Sequence, residues 1–372
     1  MKRLIDICDI QYGYAFDSKC FTEEPSYPQL VRIRDVKRGY SETYYSGDYP
    51  EEYILSEGDL LVGMDGEFNI ARWKCSGALL NQRVCKLVAK IGTNEEYLRF
   101  AMSKLLKEIE QRTAFVTVKH LSAKELNKLE LDVPELTKQD KIADILSRLE
   151  RVIEARKEEL EELDGLIKAR FVEMFGDLRT NTKGWNIKTF DELSYLITDG
   201  EHATPKRTTE GIFLLSARNI LNHSLQLADV DYIDQEEYDR ISRRIVPQEG
   251  DVLISCSGTI GRCCSVPADI KFQMVRSAAL IRFKEEVKPI FAEYMITSDY
   301  LQEQINSSKT ASSQANLFQG KIKTLKGFVP PIELQNQFAD FVNQVNKSKV
   351  AVQKTLEKTQ TLFDSLMQKY FG

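Results

Sequence analysis

Few residues of this sequence have the types and spacing that catalysis requires. Glu286-Val287-Lys288 imitates the E-x-K end of a nuclease metal site, but its upstream partner would be Asp269 with no preceding Pro-Asp dipeptide, so a chance match is the better interpretation. Neither G-x-x-x-x-G-K-(S/T) nor G-x-G-x-x-G occurs, which argues against a nucleotide-phosphate loop. Val329-Pro330-Pro331-Ile332 lacks both the amide and the aromatic residue of the N-P-P-(Y/F) tetrapeptide with which amino-methyltransferases hold a flipped base. The sequence therefore predicts a non-catalytic chain that binds no cofactor of its own.

The histidines and cysteines do not have the spacing of a metal site. Histidine occurs only at His120, His202 and His223, and no two of these form a spaced pair of ligands. No C-x-x-C pair occurs among the seven cysteines, which argues against zinc. Their odd number predicts a reducing compartment, and the sequence shows neither a signal peptide nor a membrane-spanning window, so we expect a cytoplasmic protein. The cysteines are Cys8, Cys20, Cys75, Cys85, Cys256, Cys263 and Cys264.

Polar and cationic side chains near glycine-containing turns are of the types that contact DNA. Arg and Lys pair with guanine, Asn and Gln pair with adenine, and hydroxyl groups or backbone amides hold phosphate. The net charge is −5 and the pI is about 5.6, so any DNA-binding surface must be a local patch. Each side chain could instead be a solvated charge or part of a structural ion pair. The candidates are Arg32, Arg34, Arg72, Lys74, Gln82 and Arg83 in the first half, and His202, Thr204, Lys206, Arg207, Arg218, Asn219, Ser257, Thr259 and Arg276 in the second.

The chain is organised around a repeated segment. Residues 133–176 recur as residues 329–372 without a gap, and Gln139 matches Gln335 within this alignment. A proline precedes the helical part of each copy and a glycine follows it, as is typical at the two ends of a helix. About 38 helical residues would form a rod of roughly 55–60 Å. Lys119 and His120 precede the first rod and could touch phosphate or cap a helix.

Apolar residues recur every seven positions along both predicted helices. This a/d pattern leaves an apolar stripe on each rod, so each rod needs a partner, and the other copy in the same chain is the economical one. The pattern is equally typical of coiled-coil spacers and of dimerisation helices. The residues expected in the coiled coil, or in docking of partners, are Leu146, Leu149, Ile153, Leu160, Leu163, Ile167, Val345, Val352, Leu356 and Phe363.

A globular segment precedes each rod, and the two segments share one plan. Residues 30–36, 53–64 and 78–89 read as strands and residues 94–111 as a helix with Asn94 as N-cap. The later segment repeats this order with strand-like runs at 212–220 and 248–264 and a helical run at 287–305, and both halves contain E-G-D-(L/V)-L. We therefore predict an α+β tandem duplication, with the two mixed α/β domains separated by two long antiparallel coiled-coil helices. The predicted boundaries are 1–132, 133–177, 178–328 and 329–372.

Two similar domains on paired antiparallel rods would be related by a pseudo-two-fold axis. Such a protein suits a ligand that is itself two-fold symmetric and is contacted at two places a fixed distance apart. Duplex DNA is the obvious example, because protein geometry sets the spacing of half-sites.

The ordered motifs resemble those of the specificity subunits of type I restriction–modification systems. The resemblance covers the whole chain, and the motifs are specific as an ordered set around the helix repeat. Those of the first half are Gly13-Tyr14-Ala15-Phe16, Ser18-Lys19, Val31-Arg32-Ile33-Arg34-Asp35-Val36, Glu57-Gly58-Asp59-Leu60-Leu61, Met64-Asp65-Gly66 and Leu80-Asn81-Gln82-Arg83-Val84. Those of the second half are Asp199-Gly200-Glu201-His202, Thr204-Pro205-Lys206, Glu210-Gly211, Leu214-Leu215-Ser216-Ala217-Arg218-Asn219-Ile220, Ser257-Gly258-Thr259-Ile260-Gly261 and the helix lead-in at 329–337.

The resemblance implies a division of labour among subunits. Each globular part would be a target-recognition domain that reads one half of a bipartite, double-stranded DNA target. The helices would set the spacing and dock methyltransferase subunits, two per specificity chain, and a restriction subunit could join. S-adenosylmethionine, ATP and Mg would be bound by those partners, which would methylate adenine or cleave unmethylated DNA.

Two other hypotheses are compatible with parts of the sequence. A two-domain scaffold that pairs proteins through its heptads would have no affinity for DNA even with its partners present. A nuclease that uses the carboxylates of residues 269–288 would cleave DNA in the presence of metal as an isolated chain.

Overall fold

A computed structural model describes residues 1–112, 120–307 and 316–372. The fold combines helices with several small sheets and contains two helices of 40 residues each. The described residues form two compact units. The first unit comprises Met1–Glu158 and Gln353–Gly372, and the second comprises Glu159–Val352. This division follows packing and cuts both long helices, whereas the boundaries predicted from the sequence follow the ends of the helices.

The first unit contains eleven strands and four shorter helices among its described residues. Its strands are β1 (Lys2–Arg3), β2 (Cys8–Tyr12), β3 (Phe21–Thr22), β4 (Leu30–Val31), β5 (Tyr44–Tyr45), β6 (Ile54–Leu55), β7 (Leu60–Gly63), β8 (Asn69–Arg72), β9 (Ala78–Leu80), β10 (Val84–Ala89) and β11 (Glu130–Leu131). Its shorter helices are α1 (Leu4–Ile7), α2 (Ile33–Val36), α3 (Glu95–Arg112) and α4 (Ala123–Leu126). The first long helix is α5 (Leu136–Phe175).

The second unit has the same kinds of elements. Its strands are β12 (Asn186–Thr189), β13 (Ser194–Asp199), β14 (Ile212–Leu215), β15 (Ile220–Leu221), β16 (Ser224–Leu225), β17 (Asp231–Ile233), β18 (Val252–Ser255), β19 (Cys263–Ser265), β20 (Phe272–Met274), β21 (Ala278–Phe283) and β22 (Lys326–Val329). Its helices are α6 (Phe190–Leu193), α7 (Gln235–Ser242), α8 (Pro289–Thr297), α9 (Asp299–Asn306) and α10 (Gln319–Thr324). The second long helix is α11 (Ile332–Phe371).

The four-stranded sheets of the two units have the same order. An antiparallel four-stranded sheet runs β2-β10-β7-β8 in the first unit and β13-β21-β18-β19 in the second. Each unit also has one parallel strand pair, β4 with β9 and β14 with β20, but β9 is the central strand of its three-stranded sheet whereas β14 is the central strand of the other. One strand of an antiparallel pair, β11 with β1 and β22 with β12, leads into each long helix. The predicted mixed helix-and-sheet fold is therefore confirmed, and its four-stranded sheet occurs in both units.

The E-G-D motif builds the same turn in both units. Gly58 and Gly250 adopt φ values of +90° and +82°, which glycine tolerates far better than other residues. The Asp59 carboxylate accepts from Ser56 N at 2.9 Å and binds Lys86 at 2.9 Å. Asp251 is 2% exposed and both of its oxygens lie 2.7 Å from the Arg282 guanidinium. The motif therefore fixes the strand that follows it and has a structural role.

A buried glutamine joins each long helix to an earlier loop of the same unit, which precedes α3 in the first unit and α8 in the second. Gln139 accepts from Asn94 N at 2.9 Å and donates to the carbonyls of Gly92 and Pro134 at 3.1 and 2.8 Å. Gln335 repeats this arrangement with Lys288 N, Glu286 O and Pro330 O at 2.8, 2.9 and 2.8 Å. Both glutamines are 0% exposed. Buried amides require full hydrogen bonding, so this pattern specifies how the helix packs.

Each unit packs part of α5 against part of α11. In the first unit, Leu146 of α5 and Phe363 of α11 belong to one apolar core. In the second unit, the Phe171 and Phe338 rings are 5.3 Å apart, and Lys349 donates to Asp164 at 2.5 Å. Within each unit, later residues of one helix therefore contact earlier residues of the other. The ten residues predicted for the coiled coil or for partner docking are buried or half-buried, as expected for an a/d pattern.

Three predictions of secondary structure are wrong in part. The strand-like run at 212–220 is interrupted by a short 3-10 helix at Ala217–Asn219, because Asn219 Oδ1 accepts from Ser216 N at 2.9 Å and caps that turn. Residues 33–36 form α2 instead of continuing the predicted strand, because the buried Asp35 carboxylate accepts from Arg32 N at 3.0 Å and caps a helical turn. The predicted helix at 287–305 is two helices, because Ser298 has extended backbone angles and its hydroxyl donates to Met295 O at 2.6 Å. The predicted helix at 94–111 is confirmed as α3, with Asn94 Oδ1 accepting from Tyr97 N at 2.9 Å.

Candidate nucleic-acid interface

A shallow cleft of about 750 Å³ brings two predicted arginines of the first unit together. Arg32 and Arg34 both line it, and both side chains are exposed. Arg34 Nε lies 3.7 Å from Asp35 Oδ1, and Arg32 has no ion pair within the described residues. Tyr44 and Glu42 also line the cleft. Two available guanidinium groups beside an aromatic ring can contact phosphate or a guanine edge.

Arg83 lies at a strained turn and is held by two neighbours. Its φ is +72°, in the left-handed region that non-glycine residues seldom adopt. Arg83 Nη1 lies 3.1 Å from His120 Nδ1, and Arg83 Nε lies 3.4 Å from Asp65 Oδ2. Asp65 also hydrogen-bonds to His120. The exposed guanidinium is thereby oriented at the surface, with Gln82 exposed beside it.

The other two candidates of the first unit have different surroundings. Arg72 donates to Glu96 at 2.5 Å, to Glu95 at 2.8 Å and to the Gly58 carbonyl at 2.7 Å. This network anchors α3 to β8 and favours a structural role for Arg72, which revises the expectation of DNA contact. Lys74 is exposed, and its methylene groups pack over Gly39. Lys119 lies outside the described residues.

In the second unit, a cleft of about 420 Å³ collects three predicted residues from separate segments. Arg218, Ser257 and Thr259 line it together with Arg262 and Ser277. The loop after β18 supplies Ser257 and Thr259, whereas Arg218 follows β14. The cleft therefore combines cationic groups with hydroxyl donors, which is the chemistry that holds a phosphate.

An acidic residue orients two of the arginines in the second unit. Asp231 accepts from Arg207 at 2.9 Å and from Arg218 at 3.0 Å, and Arg218 also lies 3.7 Å from Asp229. Asp231 is half-buried, whereas both guanidinium groups are exposed. The carboxylate fixes their direction and still leaves donors available, as a base-reading arginine requires.

His202 belongs to a neighbouring network of ion pairs. Its Nε2 lies 2.7 Å from Asp199 Oδ2, while Arg244 Nη2 donates to Asp199 Oδ1 at 2.6 Å. Nearby, hydrogen bonds from Arg240 lower the pKa of the Glu237 carboxyl, which stays ionised and also accepts from Lys206 N at 3.2 Å. These pairs fix the loop that carries His202 and Lys206.

The remaining candidates of the second unit divide by exposure. Thr204, Lys206 and Arg276 are exposed and available for contact. Asn219 is 0% exposed, its amide donates to Gln226 O at 3.0 Å and to Asp229 O at 2.9 Å, and its Oδ1 accepts from Ser216 N. Asn219 therefore caps a turn, as Asp35 does in the first unit, and the expectation that it reads adenine is revised.

The described residues offer no obvious catalytic or metal centre. No group of three or more His, Cys, Asp or Glu side chains there could hold a metal ion. Glu286 of the E-x-K match is engaged by Lys188 at 2.7 Å. Burial raises the pKa of Cys8, Cys256 and Cys264 to about 12, so these thiols stay protonated and unreactive. No described helix is long and apolar enough to cross a membrane.

The structure adds two residues that the sequence analysis passed over. Arg262 precedes β19 in a run that resembles the start of a strand, and only the fold brings it to the cleft beside Ser257. Asp65 reads as part of a turn motif, and only the turn geometry brings it to Arg83. The sequence contains a weak signal for both, because each is next to a glycine: Gly66 follows Asp65, and Gly261 precedes Arg262. Both glycines adopt a positive φ in the structure.

Comparison with known proteins gives consistent matches along the chain. The family model described as the type I restriction modification DNA specificity domain matches residues 1–164 and 202–360. The EcoBI type I restriction enzyme specificity subunit of Escherichia coli is 30% identical over 400 aligned positions, which cover 98% of this chain and 84% of that protein.

Two solved structures share the fold. The crystal structure of a type I restriction–modification S subunit from M. genitalium matches with a TM-score of 0.61 and 14% identity, covering 100% of this chain and 95% of the other. A structure from work on complex assembly and conformational transition of the type I system matches with a TM-score of 0.54 and 17% identity, covering 100% and 96%.

Proposed function

Because this chain belongs to the type I restriction–modification DNA specificity family, we propose that it is the sequence-specificity subunit of a type I restriction–modification complex. Each recognition domain, residues 1–132 and 178–328, reads one half of a bipartite target. The observation that carries this proposal is that the four-stranded sheet has the same strand order in both units, while the surface residues of the two units differ. A common scaffold with different surface residues can present different reading groups to two different half-sites.

The surface chemistry supports separate readings by the two domains. The first offers a cleft with Arg32 and Arg34 and an oriented Arg83. The second offers Arg207 and Arg218 on one carboxylate. Since arginine pairs bidentately with guanine and contacts phosphate, these groups provide both base recognition and affinity.

The long helices would set the distance between the two half-sites. Within each unit, contacts pair later residues of one helix with earlier residues of the other, which supports an antiparallel coiled coil with pseudo-two-fold symmetry. Exposed apolar side chains on these helices, such as Val172 and Val350, are 56% and 69% accessible. They support docking of partner proteins along the helices. The ten residues predicted from the a/d pattern are themselves buried or half-buried.

The chemistry would reside on partner subunits. Two methyltransferase subunits would supply S-adenosylmethionine-dependent adenine methylation, and a restriction subunit that joins the complex would use ATP and Mg. The chain itself would be non-catalytic and would act in the cytoplasm, together with the double-stranded DNA that it reads.

A DNA-binding assay of the assembled complex distinguishes this function from the two alternatives. We expect the chain with its methyltransferase subunits to bind one bipartite duplex in preference to a scrambled duplex. A scaffold would assemble with the same partners and bind neither duplex. A nuclease would cleave DNA as an isolated chain with added Mg, and adding a chelator would abolish that cleavage.

A further inference from the structure

The cleft of the second unit contains groups that can bind an anion and that have no role in the predicted reading of bases. Its lining includes the hydroxyl groups of Ser216, Ser257, Thr259 and Ser277 and the guanidinium of Arg262. We call this set the hydroxyl cleft. Ser277 Oγ accepts from Ala217 N at 3.0 Å, which leaves its proton for another acceptor.

Arg262 carries a charge that the described residues leave uncompensated. The side chain is half-buried, and no carboxylate of the described chain lies within ion-pair distance of it. Arg207 and Arg218 of the same unit, in contrast, share Asp231. Partial removal of a cation from water costs free energy that an anion would offset. The cleft is therefore a favourable place for a negatively charged ligand.

The loop that forms the hydroxyl cleft is held in place before any ligand binds. The buried Ser255 hydroxyl donates to Thr259 O at 2.7 Å and accepts from Arg262 N at 3.0 Å. Gly261 N also donates to Ser255 O at 3.0 Å. Gly258 has a φ of +68°, and the neighbouring Ser257 pairs with Asn316 in an isolated antiparallel β-bridge. A loop that is already fixed loses little entropy on binding.

The equivalent loop of the first unit has the opposite chemistry. Gly66 matches Gly258, since each follows the strand after the E-G-D motif and both have a φ of +68°. The residues that flank Gly66 are Asp65 and Glu67, and the neutral Asn69 pairs with Gly63 where Arg262 pairs with Ser255. Within the described residues, this loop has no unpaired cation of its own, since its acidic residues pair with Arg83 and Lys37, so the feature belongs to one recognition domain only.

We propose that the hydroxyl cleft binds one backbone phosphate of the DNA, with Arg262 as the charged contact. This inference rests on the proposed function and deepens it. The phosphate contact supplies affinity that does not depend on sequence, while Arg218 on the rim remains free to read a base. Arg262 thereby fixes the second domain on the duplex without contributing to specificity.

The test compares Arg262→Ala with a control that removes the same charge elsewhere in the unit. Arg243 is exposed, does not line the cleft and has no ion pair within the described residues, so Arg243→Ala controls for net charge. Binding of the assembled complex is measured from about 50 to 200 mM salt, on the cognate duplex and on duplexes with single changes in either half-site. Arg262→Ala should weaken binding to all of them by on the order of ten-fold and reduce the salt slope by about 0.9, whereas Arg243→Ala should change neither.

A second measurement begins with the unaltered protein, so its first part does not depend on the folding of a variant. Duplexes with one neutral methylphosphonate are scanned across the second half-site. One position should weaken binding as much as Arg262→Ala does, and at that position the substitution should have no further effect. Inorganic phosphate at millimolar concentration should not compete, because the duplex holds its phosphate in place.

Four results would overturn the inference. Arg262→Ala could change the preferred bases, which would make Arg262 a base reader. Arg243→Ala could weaken binding equally, which would reduce the effect to net charge. The scan could find no methylphosphonate position that is coupled to Arg262, which would mean that Arg262 contacts no single phosphate. Inorganic phosphate could compete, which would place a free anion in the cleft. Failure of the unaltered complex to prefer any duplex would instead overturn the proposed function, and the inference with it.

Discussion

At the scale of single residues, burial and neighbouring groups decide which polar side chains are available at the surface. Arg32, Arg34 and Arg218 are exposed, and each of them lines a cleft. Asn219 is buried and caps a turn, which the sequence does not reveal because a turn-capping amide has the same letter as an adenine-reading one. Partners in space distinguish the two roles, and Asp231 and Asp65 are contributed by distant segments or by turns that the sequence does not specify.

Arg83→Ala is expected to relax the base preference of one half of the target only. Arg83 is exposed and oriented by Asp65 and His120, so its removal takes away a reading group without opening a core. Arg218→Ala should relax the other half. Base preference is measured by binding of the assembled complex to libraries randomised in one half-site. Loss of assembly with either substitution would show that these arginines are structural.

Arg72→Ala is expected to lower the stability of the first unit and to leave base preference unchanged. It removes hydrogen bonds to Glu95, Glu96 and the Gly58 carbonyl from a half-exposed network, at a cost of about 1–3 kcal/mol. Arg38→Ala is the control, because Arg38 is exposed and lies outside this network. Chemical denaturation measures the difference. A wild-type denaturation curve together with an altered base preference would restore Arg72 as a reading residue.

At the scale of elements, periodicity and caps predicted the helices well and the short strands less well. The predicted helix at 94–111 needed only its Asn94 cap and apolar spacing, both of which are local. The error at 33–36 arose because a strand-like apolar run contains Asp35, whose burial with Ser41 decides the turn. The break at Ser298 depends on one hydroxyl bonding to the backbone. Such contacts depend on packing, which the sequence pattern does not reveal.

Gln139→Leu and Gln335→Leu are each expected to destabilise the unit that contains them by about 2–4 kcal/mol. Each substitution keeps the side-chain volume but leaves one N–H and two carbonyls without their buried partner. The exposed Gln344 on α11 gives the matched control, since Gln344→Leu removes no buried hydrogen bond. Urea denaturation of the three variants tests this. Equal stability of Gln335→Leu and Gln344→Leu would show that the buried hydrogen bonds of Gln335 do not stabilise the second unit.

At the scale of the whole molecule, the duplication was visible in the sequence because the two long helices align without a gap. The four-stranded sheets repeat in the same order although the surface residues of the two units differ. The sequence could not give the target, since recognition depends on loops placed in three dimensions and on DNA shape.

Replacing residues 178–328 with the equivalent domain of a relative is expected to change one half of the target and nothing else. The first unit keeps its own sheets and its own clefts, so its half-site should stay the same. The length of the gap should also stay the same, because α5 and α11 are unaltered. Binding to libraries of split half-sites measures the base preference of each half-site and the length of the gap. A change in both half-sites would contradict independent recognition by the two domains.

Mapping of adenine methylation in DNA from cells that express this chain with its methyltransferase partner tests the role of a specificity subunit. Cells that express the partner alone provide the control. If the chain directs the methyltransferase to its target, a new methylated motif with two specific halves and a gap of fixed length will be present only when this chain is expressed. Assembly of the two proteins without any new methylated motif would exclude that role and would favour a protein-interaction scaffold.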